Sequence, residues 1–229
     1  MKKIFLAILV CLFLSPSFGQ SVSKITIADN GAIEMIAFEV EPNVLLNIKE
    51  DGTVVNFGED IYKQNGVENW AGKLKDYMGR VEYYTANDDE AFRGKLKYIG
   101  RISLTYYASY DGDELKGKLK SIGSSNMDYY RSFDDEAYRG KLKNIGSASI
   151  TWYASYNNTS YKGKVKSIGS TEFTYYSSTD DKAYMGRVKS IGGSPFTYYS
   201  SYDRPEYRGR MKTGTQIQVI NSIKYFIKN

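Results

Sequence analysis

Lysine and tyrosine residues recur together along most of this 229-residue chain, in a pattern that could form a binding surface. Ammonium groups that alternate with aromatic rings bind anionic polymers through charge and stacking. The favoured interpretation of the pattern by itself is a solvated sheet face, whose lysines maintain solubility and discourage edge pairing. The predicted Lys/Tyr face consists of Lys95, Lys97, Tyr107, Lys118, Lys120, Tyr130, Lys141, Lys143, Tyr153, Lys164, Lys166, Tyr176, Lys189 and Tyr199, and its basic row includes Arg187, Arg210 and Lys212.

Carboxylates form a second recurring set, at positions that predict loop tips. They are Asp88-Asp89-Glu90, Asp111-Gly112-Asp113-Glu114, Asp134-Asp135-Glu136 and Asp180-Asp181. Such groups could bind a row of calcium ions or act as an acid pair. Turn chemistry is the favoured interpretation, because the spacing lacks the EF-hand ligand pattern. Asn157-Asn158 replaces the acids in one copy, which favours turns as well.

Most catalytic chemistries are excluded by composition. The chain has no histidine, and its one cysteine, Cys11, lies in an apolar run near the N-terminus. A lipidated cysteine is one interpretation of Cys11, and an apolar filler is the favoured one because Val10 is a poor residue before a lipidation site. Imidazole and thiolate metal sites and Ser-His or Cys-His nucleophiles are absent from the rest of the chain. We therefore expect no catalytic residue, no metal site, no cofactor and no enzymatic activity.

A tandem repeat positions all of these residues. Its anchor is an aromatic residue or Leu, any residue, then Gly, a basic residue, an aliphatic residue and Lys, at Gly72, Gly94, Gly117, Gly140, Gly163, Gly186 and Gly209. In each unit the alternation around Val165 predicts one strand, and that around Phe173 and Tyr175 a second. Ile168 is out of phase, which predicts a bulge or turn near Ser167. A glycine then provides the turn at Gly100, Gly123, Gly146, Gly169 and Gly192.

Charge spacing discriminates between two repeat architectures. In a parallel β-helix, equivalent lysines would stack about 4.8 Å apart as a ladder of like charges. In an antiparallel meander the spacing doubles to about 9.6 Å, close to the Debye length at physiological salt. We predict an all-β fold, an elongated twisted antiparallel β-meander of hairpin repeats, with a rolled or closed β-barrel as the alternative. The predicted core row is Leu96, Leu119, Leu142, Val165 and Val188, with Phe173 and Tyr175.

Four segments are expected along the chain. Residues 1–19 resemble a signal peptide, with Lys2 and Lys3 before an apolar run that is too short to span a bilayer. Residues 20–69 are predicted to cap the edge of the repeat sheet, with turns at Asn30-Gly31 and Asp51-Gly52. Seven repeats occupy 70–212, and capping strands occupy 213–229. Because repeat units contact mainly their neighbours, removing one unit is expected to preserve the fold.

The repeat resembles two known groups. Its length, its glycine and tyrosine content and its hairpins are similar to the MORN repeat, although MORN units carry more glycines. The run Gly-Lys-Leu-Lys-Ser-Ile-Gly from Gly117 resembles uncharacterised secreted 23-residue β-repeat proteins of Bacteroidota-type bacteria. The Thr-Tyr-Tyr run of the second strand and residues 44–48 are similar to the same proteins. This resemblance covers most of the chain after the signal sequence. It implies export and a repeat architecture and carries no functional residue.

Three functions follow as hypotheses. The first is a non-catalytic binding module in the periplasm, on the cell surface or outside the cell, with an anionic glycan, an envelope polymer or a protein as its partner. The second is a structural spacer, and the third is an enzyme with an unrecognised carboxylate mechanism. A net charge of +5 is too small to indicate specific nucleic-acid binding. No transmembrane span is expected after the signal sequence, and the oligomeric state stays open.

Overall fold

The computed structural model describes residues 21–28, 30–60 and 73–228, and it confirms the all-β architecture. The described ranges contain strands and turns and no helix. They therefore contain no helix that could cross a membrane. The predicted signal sequence, Cys11 and the first anchor Gly72 lie outside the described residues.

The described residues form nineteen strands. They are β1 (Ser21–Ile27), β2 (Ile33–Glu41), β3 (Val44–Ile48), β4 (Val54–Glu59), β5 (Val81–Tyr83), β6 (Leu96–Ile99), β7 (Ile102–Tyr106), β8 (Leu119–Ile122), β9 (Ser125–Tyr129), β10 (Leu142–Ile145), β11 (Ala148–Trp152), β12 (Val165–Ile168), β13 (Thr171–Tyr175), β14 (Val188–Ile191), β15 (Ser194–Pro195), β16 (Thr197–Tyr198), β17 (Met211–Thr213), β18 (Ile217–Ile220) and β19 (Ile223–Ile227).

The repeats form the predicted antiparallel meander. Eleven strands pair in chain order from β5 to β15, and β16 with β17 continues the pattern as a separate pair. Proline at Pro195 interrupts what would be one strand, since it has no backbone N–H to donate. The order ends at β5 and β15, which are not paired with each other, so the sheet is open rather than a closed barrel.

Each unit has a glycine turn and a bulge where the sequence predicts them. Ile168 pairs with Thr171 across a two-residue turn, and Gly169 there has φ +55°, as a hairpin turn with Gly in its first central position requires. The register between β11 and β12 then shifts, because Trp152 pairs with Val165 and Thr151 pairs with Ser167. Lys166 is the extra residue. This bulge brings both Val165 and Ile168 into the core.

The predicted core row is confirmed. Leu96, Leu119, Leu142, Val165 and Val188 are all buried, with Phe173 and Tyr175 beside them. Ile from the end of each first strand joins them, and the result is one continuous apolar cluster that also includes residues from both ends of the chain.

The two terminal segments form one covering sheet. Its strand order is β18-β19-β1-β2-β3-β4, and β1 pairs with β19 in parallel. Hairpin turns at Asn30-Gly31 and Asp51-Gly52 join β1 to β2 and β3 to β4, as predicted, and the predicted C-terminal strands are β18 and β19.

The sequence predicted that these segments cap the ends of the repeat sheet, whereas they lie on its apolar face. Phe173 packs against Tyr225 with ring centroids 5.6 Å apart, and Leu142 N donates to Glu50 O at 2.7 Å. The physical reason is that a meander with one apolar face needs a second layer to bury that face, which an edge cap does not provide.

Candidate functional site

The predicted Lys/Tyr face divides into two rows of lysines with different surroundings. The first lysine of each motif lies above an aromatic ring of the core side, as Lys141 lies above Trp152 at 4.5 Å. The second lies above a half-buried tyrosine, as Lys166 lies above Tyr153 at 6.0 Å. Trp152 is the last residue of β11 and is buried, whereas Tyr153 follows the strand and is half-buried.

The two lysines of each motif have different surroundings for a local reason. The anchor glycine turns the chain just before the first lysine, at φ +73° to +75° for the anchors Gly94, Gly117, Gly140 and Gly163. The bulge at the second lysine then shifts the alternation again. Two departures from period two separate residues that the sequence pattern places together.

The inner lysine row consists of Lys95, Lys118, Lys141 and Lys164, and it holds neighbouring units together. Each ammonium donates to the carbonyl oxygen of the next anchor glycine, with Lys118 Nζ 2.5 Å from Gly140 O and Lys141 Nζ 2.6 Å from Gly163 O. Two members also contact the covering sheet, where Lys141 pairs with Glu50 at 2.9 Å and Lys164 donates to Asn30 O.

Burial changes the ionisation of Lys95, Lys118 and Lys164. Desolvation lowers the pKa of Lys95 and of Lys118, and it lowers the pKa of Lys164 to about 8. Carbonyl oxygens that accept from an ammonium favour its charged form and oppose this effect. The row is therefore a set of partly desolvated, internally bonded ammonium groups, which is typical of a structural clamp.

The outer lysine row lies above the half-buried tyrosines. It consists of Lys97, Lys120, Lys143, Lys166, Lys189 and Lys212, each 5.0–6.0 Å from the ring centroid of one tyrosine. All but Lys97 are exposed. Beside them the sheet presents pairs of hydroxyls, such as Thr151 and Ser167 at 2.7 Å.

Tyrosines beneath the outer lysine row tie one unit to the next. This outer tyrosine row consists of Tyr84, Tyr107, Tyr130, Tyr153, Tyr176 and Tyr199. The hydroxyls of the first five donate to backbone carbonyls twenty residues later, as Tyr153 does to Phe173 O at 3.0 Å and Tyr176 to Phe196 O at 2.8 Å. Burial raises the pKa of Tyr107, Tyr130 and Tyr153. These rings support the lysines and are too covered to stack on a ligand.

Loop carboxylates make the turns and join adjacent loops. Asp134 Oδ2 accepts from Arg131 N at 2.6 Å. Asp135 accepts from Ala137 N in its own loop and from Ser155 N and Oγ in the next loop, at 2.8–2.9 Å. The bond from Ala137 N is the largest cause that lowers the pKa of Asp135, and the two bonds from Ser155 lower it further. Within the described ranges, no group of three or more carboxylates is arranged to hold a metal ion.

A cleft opens between the covering sheet and the first repeats. It encloses about 440 Å³, and its lining includes Phe57 and Val55 from β4 and Tyr83, Lys95 and Lys118 from the repeats. Of the residues predicted as a binding set, only Lys95 and Lys118 line this cleft, and their ammonium groups already donate to glycine carbonyls.

One set of residues was not anticipated from the sequence. Four aromatic side chains occupy the same position in their loops, seven residues before the anchor glycine, and are almost fully exposed: Tyr110 (85%), Phe133 (85%), Tyr156 (87%) and Tyr202 (94%). We call them the loop-tip rings. Their spacing of 23 residues was the signal that could have found them, but tyrosine elsewhere in the unit is structural and conceals it.

Comparison with protein-family models, with characterised proteins and with solved structures gives no match.

Proposed function

We propose that this chain is an exported, non-catalytic binding module of the cell envelope or extracellular space, and that its outer lysine row binds an extended anionic polymer. The observation that carries the proposal is a row of ammonium groups that repeats once per unit and is exposed at every position but Lys97. A purely structural spacer would not need this regularity of charge.

The geometry suits a long ligand better than a small one. Each unit contributes two strands, so equivalent lysines repeat about every 9.6 Å along the sheet. Tyrosine rings below the ammonium groups restrict their motion, which reduces the entropy lost when a ligand binds. An anionic polymer that lies along the row would engage several lysines at once, each weakly.

Charge substitution tests the proposal. Lys120→Gln, Lys143→Gln and Lys166→Gln together remove three adjacent members of the row without touching the core. We expect the variant to bind a soluble polyanion such as polygalacturonate at least tenfold more weakly than the unchanged protein in low salt, with a smaller salt dependence. Isothermal titration at several salt concentrations measures both quantities.

A matched control removes the same charge elsewhere. Lys49, Lys162 and Lys182 are exposed and lie outside the row, so their triple change to Gln should leave the affinity nearly unchanged. Equal weakening in the two triple variants would show a general charge effect and refute a site. Absence of any polyanion binding by the unchanged protein would refute the proposed function itself.

Export is tested separately. Residues 1–19 have the composition of a signal peptide, and we propose cleavage before Gln20. N-terminal sequencing of the protein recovered from periplasmic and extracellular fractions should then begin near Gln20, and an intact Met1 in those fractions would contradict export by this route.

A further inference from the structure

We propose that the loop-tip rings form a second binding site, for a linear uncharged polysaccharide that runs across the loops. This goes beyond the proposed function, since it concerns different residues and a ligand without charge. Tyr110, Phe133 and Tyr156 occupy three successive units and form its continuous part. Tyr202 continues the row beyond Thr179, which has no ring.

These rings are almost fully exposed, so burial of their side chains contributes little to folding. Single apolar side chains on a surface are ordinary, but these four share one position in the repeat and are 85–94% exposed. The other tyrosines of the loops behave differently, as Tyr161 packs against Tyr153 and Tyr175 with centroids 4.7 and 6.2 Å away.

Bonds between adjacent loops hold the rings in a regular array. Asp89 accepts from Ser109, the residue before Tyr110, with Ser109 Oγ at 2.8 Å. Asp135 accepts in the same way from Ser155, the residue before Tyr156. At the intervening loop Gly112 has no side chain, and Glu114 accepts from Ser132 N at 2.5 Å instead. A preorganised row of rings binds with a smaller loss of entropy than mobile rings would.

Charge selects the class of ligand. The six ten-residue loop segments that precede the anchors Gly94 to Gly209 contain 13 acidic and 8 basic residues, a net charge of −5. That balance disfavours nucleic acids and other polyanions, which would approach acidic loops. Uncharged sugars suit it, because their C–H faces stack on aromatic rings and their hydroxyls donate to carboxylates and amides. Within the described residues, Asp134 bonds through Oδ2 and has no protein donor at Oδ1.

The spacing of the rings favours an extended chain. Two strands per unit place successive rings about 9.6 Å apart, which is too far for stacking on consecutive nucleobases. In an extended polysaccharide, alternate sugars repeat over a comparable distance and present the same face. Three rings would therefore engage every second sugar of a chain that crosses the loops.

Affinity electrophoresis in gels that contain hydroxyethylcellulose, xylan or glucomannan tests the site in the protein without its signal sequence. We expect at least one of these uncharged polymers to retard the protein, with little effect of added salt. Tyr110→Ser, Phe133→Ser and Tyr156→Ser together should abolish retardation, since each ring contributes about two- to tenfold in affinity. Tyr110→Phe and Tyr156→Phe should retain it, because stacking needs the ring and not the hydroxyl.

Two further variants distinguish this site from the outer lysine row. Lys120→Gln, Lys143→Gln and Lys166→Gln should leave retardation unchanged. Thr179→Tyr should strengthen it, because the new ring joins Tyr156 to Tyr202. Unretarded migration in all three polymers, or normal retardation of the triple Ser variant with an unchanged melting temperature, would overturn the inference. In either case binding of polygalacturonate through the lysines could still stand, so the two proposals fail independently.

Discussion

Side chains at neighbouring positions of one unit have very different energetic roles. Leu142 is fully buried and touches the covering sheet through its own backbone, whereas Lys143 is exposed above Tyr130. Lys143 is the extra residue of the bulge between β9 and β10, so the strand directs Leu142 into the core and Lys143 to solvent.

Leu142→Ala should lower the free energy of unfolding by about 2–5 kcal/mol, the range for a buried leucine that leaves a cavity. Lys143→Ala should change it by less than about 0.5 kcal/mol, as is usual for exposed positions. Urea denaturation of both variants measures the difference. Equal stabilities would show that the two faces are assigned wrongly.

Acid should weaken the bonds between loops. Hydrogen bonds to backbone and serine groups lower the pKa of Asp89, Asp135 and Asp181 below the ordinary 3.8. A carboxyl group whose pKa is lower in the folded state than in the unfolded state stabilises the fold when the pH is above its unfolded-state pKa. That contribution is lost as the pH falls through the folded pKa. Thermal melts should therefore show a falling midpoint below about pH 4.

Asparagine provides the matched control for this effect. Asn158 occupies the same position in another loop and accepts from Ser160 N and Ser178 N, both at 3.0 Å. Changing Asp89, Asp135 and Asp181 to Asn should retain the bonds without a titrating group, so the variant should have a flatter acid profile. An unchanged profile would assign the acid sensitivity to other carboxylates.

At the scale of the element, the unit is a hairpin whose turn and bulge set its shape. Gly169 has φ +55° and no atom within 4 Å of the position that a Cβ would occupy. A substitution there therefore reports backbone strain alone, without steric overlap.

Gly169→Ala should cost about 1–2 kcal/mol, since an L-residue in the left-handed region is strained by that amount. Ser170→Ala, at the adjacent turn residue, is the control: it removes only an exposed bond from Asn221 Nδ2 at 3.1 Å and should cost less than about 0.5 kcal/mol. Differential scanning calorimetry of both variants tests this, and a neutral Gly169→Ala would mean that the turn adopts a different conformation.

In the whole molecule, the covering sheet limits how many repeats the chain can have. β1 pairs with β19, so the segment before the repeats and the segment after them meet in one sheet. The first covering hairpin contacts Lys164 and the second contacts Lys141. An open repeat array without such a closure tolerates gain or loss of a unit, whereas this one has a fixed span to bridge.

Deletion of residues 138–160 should therefore unfold the protein or strongly lower its melting temperature, contrary to the expectation from the repeat pattern. The deletion shortens the repeat sheet by about 9.6 Å, so β19 can no longer pair with β1 while the hairpins keep their contacts. Replacing 138–160 with a copy of 161–183 keeps the length and is the control. If the deletion melts like the control, the covering sheet does not fix the repeat number.

Sequence pattern by itself determined the local structure of this protein. Alternation around Val165, the phase shift at Ile168 and the glycines of the turns specify strands, bulge and hairpins, because these depend on neighbouring residues. The buried row from Leu96 to Val188 followed from the same pattern. The four hairpin strands before the repeats and the two strands after them also followed from the sequence pattern.

The tertiary structure decided which surfaces exist. No local pattern shows that β19 pairs with β1 across nearly 200 residues, or that Glu50 and Asn30 reach the inner lysine row. The candidate site was therefore only half predictable. The two lysines of each motif lie in different rows, one bonded to the next unit and one exposed. The reason is that the turn at the anchor glycine and the bulge at the second lysine both interrupt the strand alternation. The exposure of Tyr110, Phe133 and Tyr156 depends on what packs around them, which sequence spacing alone does not specify.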